Sequence, residues 1–103
     1  MILPEKNMNI FDVSSLGEEI LIVLKARERF TLEVIDCLNA ERTHLIGFGR
    51  YYVELNRLRL RKLVHSRWLS NEKRTLYAIT EAGKAVLDEK SQYRQRLSSR
   101  FLN

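Results

Sequence analysis

Residues 47–83, GFGRYYVELNRLRLRKLVHSRWLSNEKRTLYAITEAG, contain the main evidence for the fold. Its first part has apolar residues at the spacing of an amphipathic helix, which predicts a helix over residues 48–62. Two segments rich in β-branched and aromatic residues follow, residues 63–69 and 75–79, and the polar loop between them indicates a β-hairpin. A helix that leads into such a hairpin, the wing, predicts a winged helix-turn-helix domain, mainly α with a small β-hairpin (α+β).

The same stretch carries the net charge of the chain. Residues 50–74 hold eight of the 18 Lys and Arg residues and two of the 13 acidic ones, which gives +6. The remaining ten cations and eleven carboxylates give −1. A basic surface concentrated in this way indicates double-stranded DNA as the partner. A membrane is not indicated, because the longest apolar run, residues 20–24, is too short to cross a bilayer.

Two further helices are predicted before this stretch. A capping-box pattern at residues 15–18 begins a first helix over residues 16–27, and Thr31 caps a second helix with Glu33 in its first turn. The first helix contains five consecutive aliphatic residues, 20–24, and would therefore be apolar on all sides. Since such a helix must be buried on two sides, we expect its second side to face another subunit.

A last helix, capped by Thr80, is predicted to mediate dimerisation. Its apolar residues form a seam along one side, which is typical of a helix that packs against another helix. The chain is thus divided into an N-terminal arm (residues 1–13), a winged helix-turn-helix domain (14–80) and a C-terminal dimerisation helix (81–103). The predicted dimer interface consists of Ile20, Leu21, Val86, Tyr93, Leu97 and Phe101.

The predicted DNA-binding residues lie on the helix of residues 48–62 and at the wing tip. Arg50 and Arg57 could bind the O6 and N7 atoms of guanine in the major groove. The alternatives are that they contact phosphates only, or pair with Glu54 on a solvated face. The cations expected at this interface are Arg50, Arg57, Arg61, Lys73 and Arg74, of which the last two would contact the sugar-phosphate backbone or the minor groove. The opposite, buried face of the helix is expected to hold Tyr51, Leu55 and Leu58.

Catalysis, metal binding and cofactors are not predicted. His44 and His65 lack a metal-ligand spacing to any acidic or Cys partner. Cys37 is alone, so neither an intrachain disulfide nor a thiolate metal cluster is expected, and we expect Cys37 to be a small buried apolar residue. Residues 1–10 do not resemble a secretory signal, which together with the single Cys favours the reducing cytoplasm.

Three motifs in this order resemble the PadR-like family of winged-helix transcriptional regulators. Residues 47–58 are similar to its recognition-helix pattern, Ser-Pro-Gly-Thr-Leu-Tyr-Pro followed by a Leu…Arg-Leu run. Residues 63–68 resemble its first wing strand, Leu-Ile-x-Ser-x-Trp, and residues 77–83 its Tyr-x-Leu-Thr-x-x-Gly exit from the wing. The resemblance covers roughly residues 17–86. The matches in the first motif are Gly49, Tyr52, Leu55, Arg57 and Leu58.

The resemblance implies a DNA-binding dimer whose C-terminal helices exchange contacts. It also implies that the Tyr52 hydroxyl binds a backbone phosphate; half-buried packing of this side chain is an equal alternative. The chain departs from the pattern at Phe48 and Arg50, where the helix begins, and at Lys62, where a turn glycine is common. It also lacks the His-Gly-Tyr start of the second helix. Some relatives bind planar aromatic compounds through a tryptophan on the last helix. The single tryptophan here, Trp68, lies in the wing, so a small-molecule effector is not supported.

The sequence therefore predicts a homodimeric, sequence-specific DNA-binding regulator, a repressor in the cytoplasm of a prokaryote. Its operator would be pseudo-palindromic, with half-sites about 34 Å apart. Two alternatives stay open. The basic face could bind an acidic protein partner, as the altered helix start suggests, or the chain could bind DNA without sequence preference.

Overall fold

The computed structural model describes residues 12–102, in which four helices pack with a small sheet. Residues 1–11 of the predicted arm lie outside the described part. The mainly α fold with a β-hairpin is confirmed. The elements are α1 (Ser15–Ala26), β1 (Arg29–Phe30), α2 (Thr31–Asn39), α3 (Phe48–Leu60), β2 (Val64–Leu69), β3 (Arg74–Ile79) and α4 (Glu81–Phe101).

The sheet has one strand more than the sequence predicted. β2 and β3 form the expected antiparallel hairpin, and β1 adds to the other edge of β3, giving the order β1-β3-β2. In β1, Arg29 pairs with Tyr77 and Phe30 with Leu76. A strand of two residues has no alternating pattern of its own. It forms because the connection from α1 to α2 runs beside β3.

The core lies where α1, α2 and α3 meet the start of α4 and the first residue of β2. Tyr51, Leu55 and Leu58 of α3 are buried in it, which confirms the predicted inner face of this helix. The Tyr51 hydroxyl donates a hydrogen bond of 2.7 Å to Asn39 Oδ1. The Asn39 amide also binds the backbone of Ile46 through both its nitrogen and its oxygen, and so holds the loop between α2 and α3.

The predicted helix starts are wrong by one residue at α1 and at α2. Ser14, not Ser15, caps α1, and its Oγ accepts a hydrogen bond of 2.9 Å from the Gly17 N–H. At α2 the cap is Phe30 in place of Thr31, and the Glu33 carboxylate accepts the Phe30 N–H at 2.9 Å. This bond, together with nearby arginines, lowers the pKa of Glu33 below its ordinary value.

The predicted subunit contact through Ile20 and Leu21 is also corrected. Both side chains are 0% exposed within their own chain, so they have no surface left for a partner. α2, α3, α4 and β3 of the same chain surround α1, which explains why so apolar a helix is stable here. In the aliphatic run of residues 20–24, Ile22 is the exposed residue, at 51%.

The start of α4 packs closely against the segment that links α3 to β2. We call this contact, formed by Thr80 and Gly83 with Lys62 and Leu63, the joint. Thr80 caps it, as predicted: Thr80 Oγ1 accepts the Gly83 N–H and donates to the Lys62 carbonyl at 2.7 Å. Lys62 has a φ of 62°, a left-handed conformation that explains why glycine is common at such a turn. A Cβ atom on Gly83 would lie 2.3 Å from the Leu63 carbonyl oxygen, so α4 can start this close only with glycine there.

The two halves of α4 differ in burial. In its first half, Val86 and Leu87 pack into the core, and Lys90 pairs with Glu18 of α1. Arg94, near the start of the second half, also pairs with Glu18, at 2.9 Å. Val86, placed by prediction at a dimer interface, is thus mainly covered by its own chain. In the second half, the α4 tail (residues 91–101), Tyr93 is half-buried whereas Leu97 and Phe101 are exposed, Phe101 at 70%. None of the described helices is long and apolar enough to cross a membrane.

Candidate nucleic-acid interface

Three of the predicted DNA-binding arginines lie along one flank of α3. Arg50, Arg57 and Arg61 are seven and four residues apart, which places them in one row beside the buried face of the helix. Arg50 and Arg57 are exposed, and Arg61 is half-buried. We call this row the arginine flank.

The three arginines of the flank are held to different degrees. Arg57 Nη1 donates to Glu54 Oε2 at 3.0 Å, and Arg61 Nη1 donates to the Asp12 carbonyl oxygen at 2.8 Å. The Arg50 side chain makes no hydrogen bond or ion pair within residues 12–102. The flank therefore presents one guanidinium group without an acceptor and two that are bound to one.

The partner of Arg57 is not the solvated carboxylate that the sequence suggested. Glu54 is 3% exposed, and its Oε1 accepts a hydrogen bond of 2.8 Å from Ser14 Oγ. The predicted pairing of Glu54 with Arg57 is confirmed, but the predicted solvated environment of Glu54 is wrong. The segment that leads into α1 covers Glu54, and this tertiary contact has no signal in the sequence of α3.

The centre of the exposed face of α3 holds two residues that sequence analysis did not select. Val53 and Asn56 lie opposite the buried face, and both are exposed. Asn56 Oδ1 accepts a hydrogen bond of 2.6 Å from Arg59. An aliphatic side chain can contact the methyl group of thymine, and an Asn can bind adenine. Helical spacing measured from the core positions would have identified both, because charge alone directs attention to the arginines.

Tyr52 lies on the other flank of α3 and faces a cleft below the wing. The cleft, of about 240 Å³, is formed by the start of α2, by α3 and by the hairpin. Three aromatic residues line it together with two cations of the wing. The lining residues are Phe30, Thr31, Leu32, Tyr52, Trp68, Lys73, Arg74 and Thr75.

The two predicted cations of the wing tip have different surroundings. Lys73 occupies the turn with a φ of 55° and is exposed, and its ammonium group has no partner within the described part of the chain. The Arg74 guanidinium lies over the Phe30 ring, 3.7 Å from its centroid, and pairs with Glu72 at 2.8 Å. The wing thus presents one free cation and one that docks the hairpin on the start of α2.

The six predicted residues fall into two groups, one on each flank of α3. The arginine flank forms the first group, and Tyr52, Lys73 and Arg74 form the second around the cleft. Their contact with DNA stays a prediction. Within residues 12–102, no group of three or more His, Cys, Asp or Glu residues could hold a metal ion.

A second uncovered surface lies away from this face, between α1 and α2. A groove of about 520 Å³ is lined by Ile22, Val23, Cys37 and Leu38, with Glu19, Ala40 and Glu41 at its rim. Cys37, predicted to be buried, is half-buried here. Glu19 is paired with Arg42, which leaves the groove mainly apolar.

Comparisons with known proteins place the chain among regulators. The model of the family described as "Transcriptional regulator PadR-like family" matches residues 20–89. A search of curated proteins gave no match. Among solved structures, RosR of H. salinarum has a TM-score of 0.78 at 23% identity, covering 92% of this chain and 84% of RosR.

Two further structures are similar in fold. A PadR family transcription regulator from Clostridium difficile has a TM-score of 0.70 at 22% identity, covering 87% of this chain and 100% of its own. A mutant of ZitR from Lactococcus lactis has a TM-score of 0.67 at 20% identity, covering 99% of this chain and 66% of its own. At such identities these likenesses show a shared fold.

Proposed function

The chain belongs to the PadR-like family of transcriptional regulators, and from that premise we propose that it is a homodimeric, sequence-specific DNA-binding repressor of the cytoplasm. Members of this family are transcriptional regulators and not enzymes, which confirms the expectation that this chain is no enzyme. The observation that carries the proposal is the arginine flank, which projects from a helix whose adjacent inner face is fixed in the core. We therefore propose α3 as the recognition helix.

The proposed recognition places α3 in the major groove. The surplus of cations in residues 50–74 attracts the polyanion, and its electrostatic contribution should weaken with salt because each neutralised phosphate releases counterions. Arg50 and Arg57 would bind guanine edges through their planar guanidinium groups. Val53 and Asn56, which lie beside this row at the centre of the exposed face, would contact the neighbouring bases.

The wing would hold the register of α3 on the duplex. Lys73 at the tip and the Tyr52 hydroxyl beside the cleft would contact phosphates, which position a protein without carrying base information. Arg74, stacked on Phe30 and paired with Glu72, would support the wing and contribute charge to this contact.

The proposed dimer uses the α4 tail and the groove between α1 and α2. Leu97 and Phe101 are exposed on the tail, and Ile22 is exposed at the groove, so two copies could cover each other's apolar residues. Tyr93 would lie at the base of this contact. A dimer with two-fold symmetry requires a pseudo-palindromic operator with half-sites about 34 Å apart.

The proposal is tested by selection from a random double-stranded DNA library with the full chain at near-physiological salt. Recovery of an inverted repeat with half-sites about ten base pairs apart is expected. An Arg57→Glu variant should lose the motif, whereas Lys25→Glu, the same charge change outside the basic window, should keep it. Absence of any enriched sequence would overturn sequence-specific binding. Repression would then be measured with a reporter whose promoter overlaps the selected site.

One observation favours a second function, a protein-interaction module. Phe48, at the start of α3, is exposed although base recognition by arginines does not require an aromatic residue there. An acidic protein with an apolar pocket would fit Phe48 next to Arg50. A selection without enrichment, together with binding that does not depend on DNA, would favour this function. Binding to all duplexes equally would indicate sequence-neutral DNA binding.

A further inference from the structure

Glu54 is an unusual residue for the inner face of a helix that binds DNA. Within residues 12–102 it is the one charged residue that is buried, at 3% exposed. A carboxylate is costly to bury unless it is fully paired, and beside phosphates it repels the partner that α3 is proposed to bind. Neither the packing of α3 nor its affinity for DNA requires a negative charge at this position.

Both oxygens of Glu54 have a donor, and each donor is itself placed by the fold. Ser14 Oγ donates to Oε1 at 2.8 Å while it accepts the Gly17 N–H at 2.9 Å. Because that oxygen already accepts the backbone N–H at the start of α1, its proton is directed to Glu54. Arg57 Nη1 donates to Oε2 at 3.0 Å. A chain of hydrogen bonds thus runs from the backbone of α1 to the Arg57 guanidinium.

The hydrogen bond to Glu54 fixes the orientation of the Arg57 guanidinium group. Its side chain is 59% exposed, yet one nitrogen is bound to an acceptor that is buried and held by α1. The guanidinium is planar with five N–H groups in a rigid fork, so fixing one nitrogen orients the plane and leaves donors free on the outer side. Arg50 has no such partner within the described residues and can adopt many rotamers.

We infer that Glu54 is a positioning residue that orients Arg57 and so narrows the base preference of α3. The inference rests on the proposed function, since it concerns how α3 distinguishes one base pair from another. A pre-oriented guanidinium fits one arrangement of acceptors and loses more binding free energy when that arrangement changes. The negative charge of Glu54 lowers affinity for all DNA, but the fixed orientation of Arg57 increases the difference in affinity between one base pair and another.

The decisive variant is Glu54→Gln, with Glu72→Gln as its matched control. Both remove one carboxylate from the basic window, but Glu72 is exposed and pairs with Arg74 at the wing. Affinity would be measured for the selected operator, for operators with single base-pair changes, and for random duplex. Both variants should bind random duplex more tightly. Only Glu54→Gln should lose discrimination, by about fivefold at one base pair per half-site.

A double-mutant cycle assigns that loss to Arg57. In an Arg57→Lys background, which lacks the planar fork, Glu54→Gln should cause no further loss at that base pair. Nitrogen-15 NMR of the unmodified protein provides a test that needs no variant. The Arg57 guanidinium should rotate and exchange its protons more slowly than that of Arg50, which has no acceptor.

The possible failures are distinguishable. If the unmodified protein binds its best sequence no better than random duplex, the proposed function is wrong. If it discriminates and folded Glu54→Gln discriminates equally well, the inference alone is overturned. Should Glu54→Gln fail to fold, equal guanidinium rotation rates at Arg57 and Arg50 would overturn it instead.

Discussion

The exposed face of α3 and the α4 tail are both helical surfaces that their own chain leaves uncovered, but they differ in chemistry. α3 presents arginines with Val53 and Asn56 beside them, whereas the tail presents Leu97 and Phe101. A cationic surface with polar groups suits a polyanion, and an apolar row suits a second apolar surface. The partner of a helix therefore depends on which side chains remain after the core has formed.

The two surfaces are linked by the joint at the start of α4. Thr80 binds the Lys62 and Leu63 carbonyl oxygens, at 2.7 Å and 3.0 Å, directly after the end of α3. The direction of α4 relative to α3 is set there and by the pairs of Glu18 with Lys90 and Arg94. In the proposed dimer this direction would determine the separation of the two recognition helices.

Removing the apolar character of the α4 tail should have the largest effect. Leu97→Glu combined with Phe101→Glu should abolish the dimer and lower operator affinity by about 100-fold or more, because the second half-site no longer binds intramolecularly. Folding should persist, since both residues are exposed. Sedimentation equilibrium measures the loss of the dimer, and affinities for the whole operator and for a single half-site measure the loss of operator binding. Gln92→Glu with Gln95→Glu, on the opposite side of α4, should remain dimeric.

Gly83→Ala tests the joint. The added methyl would lie 2.3 Å from the Leu63 carbonyl oxygen, so the backbone must shift. The free energy of unfolding should fall by about 2–3 kcal/mol, as measured by urea denaturation. Gly49→Ala, where no atom lies within 4 Å, is the matched control and should not be destabilising. Equal stability of the two variants would contradict the role of the joint.

Arg57→Ala should affect the α3 face alone. Loss of one guanidinium contact should weaken binding to the selected operator by about 1–2 kcal/mol and relax the preference at one base pair in each half-site. The oligomeric state should not change, because Arg57 is far in sequence from the tail and its side chain contacts Glu54. Electrophoretic mobility shifts with single-substituted operators provide the measurement; a uniform loss across all sequences would indicate a phosphate contact.

Lys73→Asn should give a smaller, sequence-independent effect. Asn tolerates the left-handed conformation seen at Lys73, so the turn should survive the loss of charge. Affinity should fall a few-fold for every duplex, and the slope of log affinity against log salt should decrease by about one. An altered base preference would show that the wing tip contacts bases.

Glu33→Gln should have the smallest effect of these variants, a pH-dependent change in stability. Glu33 lies at the start of α2, where the wing contacts this helix. The bond from the Phe30 N–H, and the nearby arginines, lower the pKa of Glu33 below 4.5. A carboxyl group whose pKa is lowered by folding stabilises the folded state at a pH above its pKa in the unfolded state. This stabilisation is lost as the pH falls through the pKa in the folded state. The free energy of unfolding of the variant should therefore be lower than that of the natural chain near neutral pH, and the difference should shrink as the pH falls through the lowered pKa of Glu33. Urea denaturation at a series of pH values measures this difference.

Much of the fold is predictable because its signals are local. The buried face of α3 follows from the spacing of Tyr51, Leu55 and Leu58, and the hairpin from two β-rich segments around a polar loop. Thr80 caps α4 through a neighbour three residues away. Each of these depends on residues within one or two turns, so periodicity and capping chemistry suffice.

The candidate site was predicted only in part. Charge selected the arginine flank and Lys73, but it did not show that Val53 and Asn56 occupy the centre of the exposed face. Glu54 was predicted to lie on a solvated face, because the sequence of α3 cannot reveal that Ser14, forty residues earlier, contacts it.

The positions of the helices, the hairpin and the positive charge follow from the sequence, because backbone propensity and side-chain periodicity act over a few residues. The folded structure was needed to show that Ile20 and Leu21 are enclosed by their own chain, that β1 pairs with β3, and that Arg74 stacks on Phe30. These contacts join segments far apart in sequence. Whether a given side chain is buried, paired or free therefore depends on which distant segment packs against it.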